Sequence, residues 1–246
     1  MNPEYVKNLF RSIAGRYALA NHLLSCGMDF WWRRCVAKKI QQWNPKTLLD
    51  VATGNGELAF AIAKKIPTVQ TTAVDFCHEM LEQARLTQVK SKNLYSYSSE
   101  NANIGFKTPM ITFLEADGLE LPFEEKIFDA VTVAFGLRNM VSWEQGLREM
   151  HRVLRSRGHL LILDFSIPTS PLLRPFYRFY LHHVLPHFAG LVTGEASAYE
   201  YMGGSIEAFP SGEAMCALLT QCGFENARST ALTGGIVTIY TASKET

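Results

Sequence analysis

The stretch LLDVATGNGELAF, residues 48–60, commits the chain to a strand that runs into a glycine turn and at once into a helix. Gly54 and Gly56 allow a backbone that side chains resist, and Glu57 to Phe60 open a helical pattern. Such a unit belongs to doubly wound sheets, whose ligands bind at the carboxyl ends of the strands. Short apolar runs near 47–52, 70–75, 111–116, 128–135 and 159–165 alternate with helical patterns near 57–66, 77–90 and 143–155. A helix near 212–222 and two β-rich runs near 226–231 and 235–242 follow. The spacing predicts an α/β fold: a central, mostly parallel seven-stranded sheet with helices on both faces.

Around that core the chain reads as a single domain over residues 1–246. Residues 1–44 carry Tyr5, Leu9, Phe10, Ile13, Tyr17, Trp31, Trp32 and Trp43 and read as an N-terminal helical lid. The nucleotide-binding core is expected over 45–165, with the polar, aperiodic SKNLYSYSSENANIG (91–105) as an exposed loop. Residues 166–206, rich in aromatics, His and Pro, interrupt the rhythm as a substrate-side insertion. Residues 207–246 supply a helix and a β-hairpin that complete the sheet.

Composition removes several classes of function. With 24 basic and 23 acidic residues the net charge is +1, which lacks the concentrated positive face that nucleic acid requires. The five cysteines form no CxxC pair, and the N-terminus lacks the apolar core of an export signal, so free thiols in a reducing cytoplasm are expected. No apolar run reaches the length of a membrane span. His182, His183 and His187 lie close together, but Pro186 breaks their helical register and no Cys or carboxylate sits at ligand spacing. No metal is expected.

Two nucleotides compete for the glycine loop. Gly54-Asn55-Gly56-Glu57-Leu58-Ala59 fits GxGxxA, and Asp75 ends the second strand where a carboxylate suits a ribose diol, which is the NAD pattern. Three features favour S-adenosylmethionine (SAM) instead. Asp50 precedes the glycines, where it suits the amino-acid end of a ligand and would repel a pyrophosphate. Asp117, in FLEADGLELPF, is placed to accept from an adenine amino group. KIFDAVTVAFGL gives a Phe-Asp entry to the fourth strand. The fold expected is therefore a Rossmann-like class I SAM-dependent methyltransferase.

The blocks YALANHLLSCGMDFWW (17–32), ELPF with FDAVTVAFGLRN (120–139) and HRVLRSRGHLLILDFS (151–166) carry a resemblance that extends to HHVLP (182–186), AYEYMGGSI (198–206) and LTGGIV (232–237). Over nearly its whole length the chain resembles the ubiquinone/menaquinone biosynthesis C-methyltransferase family. The resemblance implies SAM contacts at Asn55, Asp75, Asp117, Gly118 and Ala134, to which the residue pattern adds Asp50, Gly54 and Gly56. Asn55 and Ala134 stand where the family usually has Thr and Ser.

The family's reaction moves a methyl group from the SAM sulfonium to a ring carbon of a polyprenylated quinol. Loss of a phenolic proton makes that carbon nucleophilic, so the site must align the partners, hold an oxyanion and release a ring proton. Arg138 and Asn139 follow the fourth strand, where the methyl should lie. Arg138 cannot be a free base, because a guanidinium keeps its charge at neutral pH, but it can hold an oxyanion or orient a water. Its plainer role is a salt bridge bracing the loop, to Asp164 or a neighbouring Glu. Asn139 can bond a ring oxygen, Tyr17 of the lid can cover the site, and His183 can line the substrate pocket. An isoprenoid tail, at ~0.8 kcal/mol per buried CH₂, needs an apolar groove, which residues 165–192 supply, together with peripheral contact at the inner face of the membrane. A homodimer is left open. The competing readings are a small-molecule O-methyltransferase and a non-catalytic SAM-binding protein.

Overall fold

Leu48 and Leu49 are adjacent and both fully buried, yet they enter different cores. Strand side chains alternate between faces, so a strand covered on both sides reads as an unbroken apolar run. The computed structural model describes residues 11, 22, 25–99, 110–187 and 196–245, the side chains of 92–99 and 196–200 apart. In it α1 (Met28–Trp43) precedes β1 (Thr47–Val51), α2 (Glu57–Lys65), β2 (Gln70–Asp75), α3 (His78–Ser99) and β3 (Ile111–Glu115). Next come β4 (Phe128–Ala134), α4 (Trp143–Val153) and β5 (Leu154–Phe165). The insertion holds α5 (Leu173–Phe179), prolonged by a π-helical turn at Tyr180–Val184, and α6 (Ala196–Ala208). The chain closes with α7 (Glu213–Gln221), β6 (Glu225–Leu232) and β7 (Val237–Ser243).

The sheet has the expected seven strands, in the order β3-β2-β1-β4-β5-β7-β6. β1 to β5 pair in parallel, and β7 runs antiparallel between β5 and β6. On one face Leu49, Val131 and Ile162 pack with Leu147 and Met150 of α4 and Leu219 of α7. On the other, Leu48, Leu161 and Leu163 pack with Trp32 and Val36 of α1 and Ile62 of α2. Each fully buried Leu or Ile contributes about 1.5–3 kcal/mol relative to exposure. A smaller cluster, Tyr177, Leu181, Leu185 and Ile206, holds the insertion together.

The strand order also positions the site. From β1 the chain winds outward through β2 and β3, then returns to place β4 on β1's other side, Leu49 opposite Val131. The loops leaving β1 and β4 therefore diverge, and a crevice opens above them at this switch point.

Two stretches differ from the sequence expectation. The first nine residues of 91–105 are helical, because α3 runs on to Ser99; residues 100–105 lie outside the described residues. At the junction, Thr87 donates to the carbonyl of Gln83 and Ser91 to that of Thr87, each at 2.9 Å, so these hydroxyls bond back to the helix instead of ending it there. Gln88 then ties α3 to β3 through both the N–H and the carbonyl of Ile111. β5 also starts earlier, at Leu154, with α4 ending at Val153. Its first turn contains Arg157 at φ 64° and pairs through a bulge, with Arg157 N donating to the carbonyl of Lys244. That polar segment carries no apolar signal, and backbone pairing alone makes it strand.

Among the described residues no helix is long and apolar enough to cross a membrane. All five cysteines are free.

Candidate active site

A cleft of about 660 Å³, open to solvent, occupies the switch point. The loop after β1 forms one wall, with Ala52 at φ 52°, Gly54 at φ 58° and Gly56 at φ 83°. The loop after β4 forms the other, with Phe135 at φ 57°. For residues with a side chain this left-handed region costs about 1–2 kcal/mol, and two of them, Ala52 and Phe135, face one cleft. A Cβ on Gly136 would lie 2.4 Å from that of Ala52, so the two loops touch at the base. Gly56 caps α2, whose first residues, Glu57 and Leu58, line the cleft and bring it the positive end of a helix.

Two buried carboxyls sit beneath the glycine loop. Asp75 Oδ2 accepts from the N–H of Gly54 at 2.7 Å and Oδ1 from that of Cys77 at 2.9 Å. Asp50, two strand positions before Ala52, accepts from the hydroxyls of Thr132 at 2.6 Å and Thr53 at 2.7 Å. Burial pushes both acids up to about 6; hydrogen bonds pull each back, and the Asp75 charge adds to the rise at Asp50. Each carboxyl thus has lone pairs facing the cleft and a strong preference for meeting a donor or a cation there.

Across the cleft, Asn139 and Ala134 line the wall while Arg138 stands behind it, 5% exposed. Arg138 donates from Nη1 to Asp164 Oδ1 at 2.9 Å and to the carbonyl of Phe135 at 2.5 Å, and its Cζ lies 5.3 Å from the centre of the Phe165 ring. Its Nε is buried without a hydrogen-bond partner. Asp164 is fully buried; burial raises its carboxyl and the Arg138 charge opposes the rise. Asn139 donates from Nδ2 to the carbonyl of Phe135 at 3.2 Å and accepts at Oδ1 from the Tyr201 hydroxyl at 3.3 Å. An amide held at both ends presents its remaining N–H in a fixed direction. The Tyr177 phenol is raised by burial and by Tyr180, and it feels the charges of Arg138 and Asp164.

A charged network closes the outer edge. Arg33 of α1, 7% exposed, bonds Asp29 and places Nη2 2.5 Å from Glu57 Oε2. His22 meets Asp29 at 2.5 Å and Glu57 at 3.2 Å. Burial pushes the Asp29 carboxyl up, but bonds from Arg33 and Ser25 outweigh it and hold the group below the usual carboxylate range. His22, Asp29 and Glu57 bring ligand atoms within 4.8 Å of one another. Arg33 lies against both carboxylates, so a cation there would have to displace a guanidinium already neutralising them.

The sequence-predicted residues therefore divide. Asp50, Gly54, Asn55, Asp75, Ala134 and Asn139 share one cleft. Gly56 caps the helix beside it, and Arg138 braces the wall from behind. Asp117 and Gly118 lie on the loop after β3 at the same sheet edge, Asp117 accepting from the N–H of Leu119 at 2.9 Å. His183 is exposed on the outer face of the insertion, its ring 4.9 Å from that of Phe179. Tyr17 lies outside the described residues. Arg33, Glu57 and Tyr201 were not singled out by the sequence. Glu57, first in the helix after the glycines, carried a signal; Arg33 and Tyr201 reach the site only through the fold.

Comparison with known proteins bears on the arrangement as a whole. Residues 1–244 match the model of the ubiE/COQ5 methyltransferase family. A ubiquinone/menaquinone biosynthesis C-methyltransferase UbiE of Citrifermentans bemidjiense is 41% identical over 242 residues, covering 98% of this chain and 97% of that one. A demethylmenaquinone methyltransferase of Deinococcus radiodurans is 40% identical over 241 residues, covering 98% and 93%. Among solved structures, the CurJ carbon methyltransferase superposes with a TM-score of 0.66 at 15% identity, covering 100% of this chain and 62% of that one. A SAM-dependent methyltransferase of Thermotoga maritima gives 0.60 at 13%, covering 96% and 100%. At such identities the structural likeness speaks for the fold alone.

Proposed function

Because the chain belongs to the ubiE/COQ5 methyltransferase family, we propose that it transfers a methyl group from SAM to a ring carbon of a polyprenylated quinol, in menaquinone or ubiquinone biosynthesis. The curated relatives at 40–41% identity, named for that activity, support this reading. The observation that carries it at the site is that Asn139, held at both ends of its amide, faces the same cleft as Asp50, Gly54 and Asp75.

The cleft suits SAM on chemical grounds. Asp75 offers acceptors to a ribose diol, and Asp50, with Arg33 and Glu57 close by, suits the charged amino-acid end. The glycine loop lets the backbone approach where a Cβ on Gly54 would already be 3.2 Å from Met80 Cε. We keep Asn55 and Ala134 as further contacts, and Asp117 with Gly118 for the adenine. When bound, SAM supplies an electrophilic methyl group. The chain's own residues do the rest. Asn139 donates to a ring oxygen, and Arg138 holds a positive charge next to the phenolate that forms, worth more in a water-poor site than in bulk. A guanidinium does not act as a base near neutral pH, so the ring proton leaves through a water that Arg138 orients. Because α1 packs into the core on one face of the sheet, the expected lid is narrowed to the residues before it, with Tyr17, which lies outside the described residues. The protein is assigned to the cytoplasm, working at the inner face of the membrane.

Incubating the full chain with SAM and either reduced demethylmenaquinone or a reduced methoxy-benzoquinone bearing a prenyl tail tests this. Mass spectrometry should find one added methyl on a ring carbon, and the preferred acceptor identifies the pathway. The oxidised quinone should be inert until a reductant is supplied. A methoxy product would make the chain an O-methyltransferase. SAM binding without turnover on any quinol would make it a binding protein.

A further inference from the structure

The insertion helix buries one side and leaves the other unused by the fold. Tyr177, Leu181 and Leu185 face inward against Ile206. Leu172, Phe176 and Phe179 face out, 79%, 73% and 60% exposed. Their i, i+4, i+7 spacing gathers them within an arc of about 60° at 100° per residue, so they form one ridge and are not scattered surface apolars. A ridge of two phenylalanines and a leucine is a feature that soluble surfaces normally avoid.

The charge around the ridge has one sign. From Phe165 to Gly194 the chain has no Asp or Glu, while it carries Arg174, Arg178, His182, His183 and His187. Arg174, His182 and His183 are exposed on the same helix. Among the described residues the carboxylate against this helix comes from α6: Glu207 meets Arg178 at 2.8 Å and His182 at 3.3 Å. Pairing two copies ridge to ridge would set the same carboxylate-free, cationic segment against itself, since an isologous contact places the same patch on both sides. An anionic bilayer meets the ridge with hydrocarbon and the cations with phosphate.

We propose that the segment from Leu172 to His183 docks on an anionic phospholipid bilayer, with Leu172, Phe176 and Phe179 in the interface and His183, its ring beside that of Phe179, at the headgroups. This deepens the quinol reading and rests on it for its purpose, because a polyprenyl tail dissolves in that same phase. The inner side of the helix packs on Phe165, whose ring carries the Arg138 guanidinium, so the docked helix lies between bilayer and site. An apolar face of this kind with flanking cations is how amphipathic helices hold to membrane surfaces.

Co-sedimentation of the full chain with extruded vesicles, pure phosphatidylcholine against 30% phosphatidylglycerol (a chosen composition, roughly that of an anionic leaflet), tests the proposal. The wild type should bind the anionic vesicles, more weakly in high salt. Leu172→Ser/Phe176→Ser/Phe179→Ser should lower binding at least about tenfold, and Phe176→Glu, which sets a carboxylate in the exposed ridge, about fivefold or more. Both variants should keep wild-type turnover on a short-tailed, water-soluble quinol and lose it on a long-tailed quinol held in vesicles. If the triple variant does not fold, Phe176→Glu and the salt dependence decide. Wild-type protein that ignores anionic vesicles overturns the proposal. So does a wild-type dimer that becomes monomeric in the triple variant without any vesicle binding. Vesicle binding with no turnover on any quinol would leave the docking surface standing and refute the quinol reading.

Discussion

The two walls of the cleft hold their polar groups in opposite ways. On the SAM side, Asp50 and Asp75 are satisfied by N–H groups and a hydroxyl of the loops after β1 and β2 and by the Thr132 hydroxyl of β4. On the acceptor side, besides the Phe135 carbonyl that both share, Arg138 depends on a buried carboxylate of β5 and Asn139 on a phenol of α6. A wall wired into the sheet is rigid before any ligand arrives. A wall whose parts come from β5 and the insertion is complete only when those elements are packed.

The largest difference between the walls should come from Arg138→Ala. It removes the proposed oxyanion partner and leaves Asp164 charged and buried without a counter-ion, which costs about 3–5 kcal/mol. Turnover should fall by about two to three orders of magnitude while SAM affinity by calorimetry stays within about threefold. Adding Asp164→Asn should recover much of the lost stability and none of the turnover. If the pair regains activity, Arg138 is a brace and nothing more. Asp75→Ala is the counterpart on the other wall. It should weaken SAM about 10- to 100-fold, the worth of one or two hydrogen bonds to a charged acceptor, and lower kcat far less. Undiminished affinity would refute the ribose assignment.

The same contrast explains what the sequence could and could not reveal. LLDVATGNGELAF and Asp75 are local signals, because a strand end, two glycines and a helix start occupy consecutive positions, and the acid closes the very next strand. The sheet followed from apolar runs that each feed two cores, as Leu48 and Leu49 show. Tyr201 lies within AYEYMGGSI, a block that carries the resemblance without giving the tyrosine a role, and its bond to Asn139 exists only because α6 packs on the loop after β4. Arg33 lies next to Trp32 on a helix and reads as a solvated flank of an apolar face until the fold sets Glu57 against it. Ser- and Asn-rich composition concealed the end of α3, because residues 92–99 are helical in backbone without an apolar periodicity.

Proton linkage separates the walls next. Asp50 and Asp75 titrate near 6 in the unliganded protein, above the ordinary 3.8, so both hold protons across the window from about 4 to 6. The folded-state advantage of those protons is present at low pH and is lost as pH rises through 6. SAM needs the carboxylates as acceptors and must expel the protons, so its affinity should rise with pH, by up to about tenfold per unit for each acid below 6, and level off above 7. The thermal shift produced by SAM should be larger at pH 7 than at pH 5. A flat profile would mean that neither acid meets the ligand, and Asp50→Asn should remove one of the two steps.

Tyr201→Phe gives the smallest effect and the sharpest distinction. It deletes one oxygen, which leaves Asn139 Oδ1 without its donor from α6 while the ring still packs with the insertion cluster. Thermal stability should change by less than about 1 kcal/mol, the net worth of one neutral hydrogen bond, and SAM affinity should not move. The amide of Asn139 can then turn, so kcat should fall about five- to tenfold, with KM for the quinol nearly constant, because orientation counts most in the transition state. A purely structural tyrosine would shift stability and spare kcat. The split between these readouts therefore tests whether the insertion, besides covering the acceptor, also aims the residue that meets it.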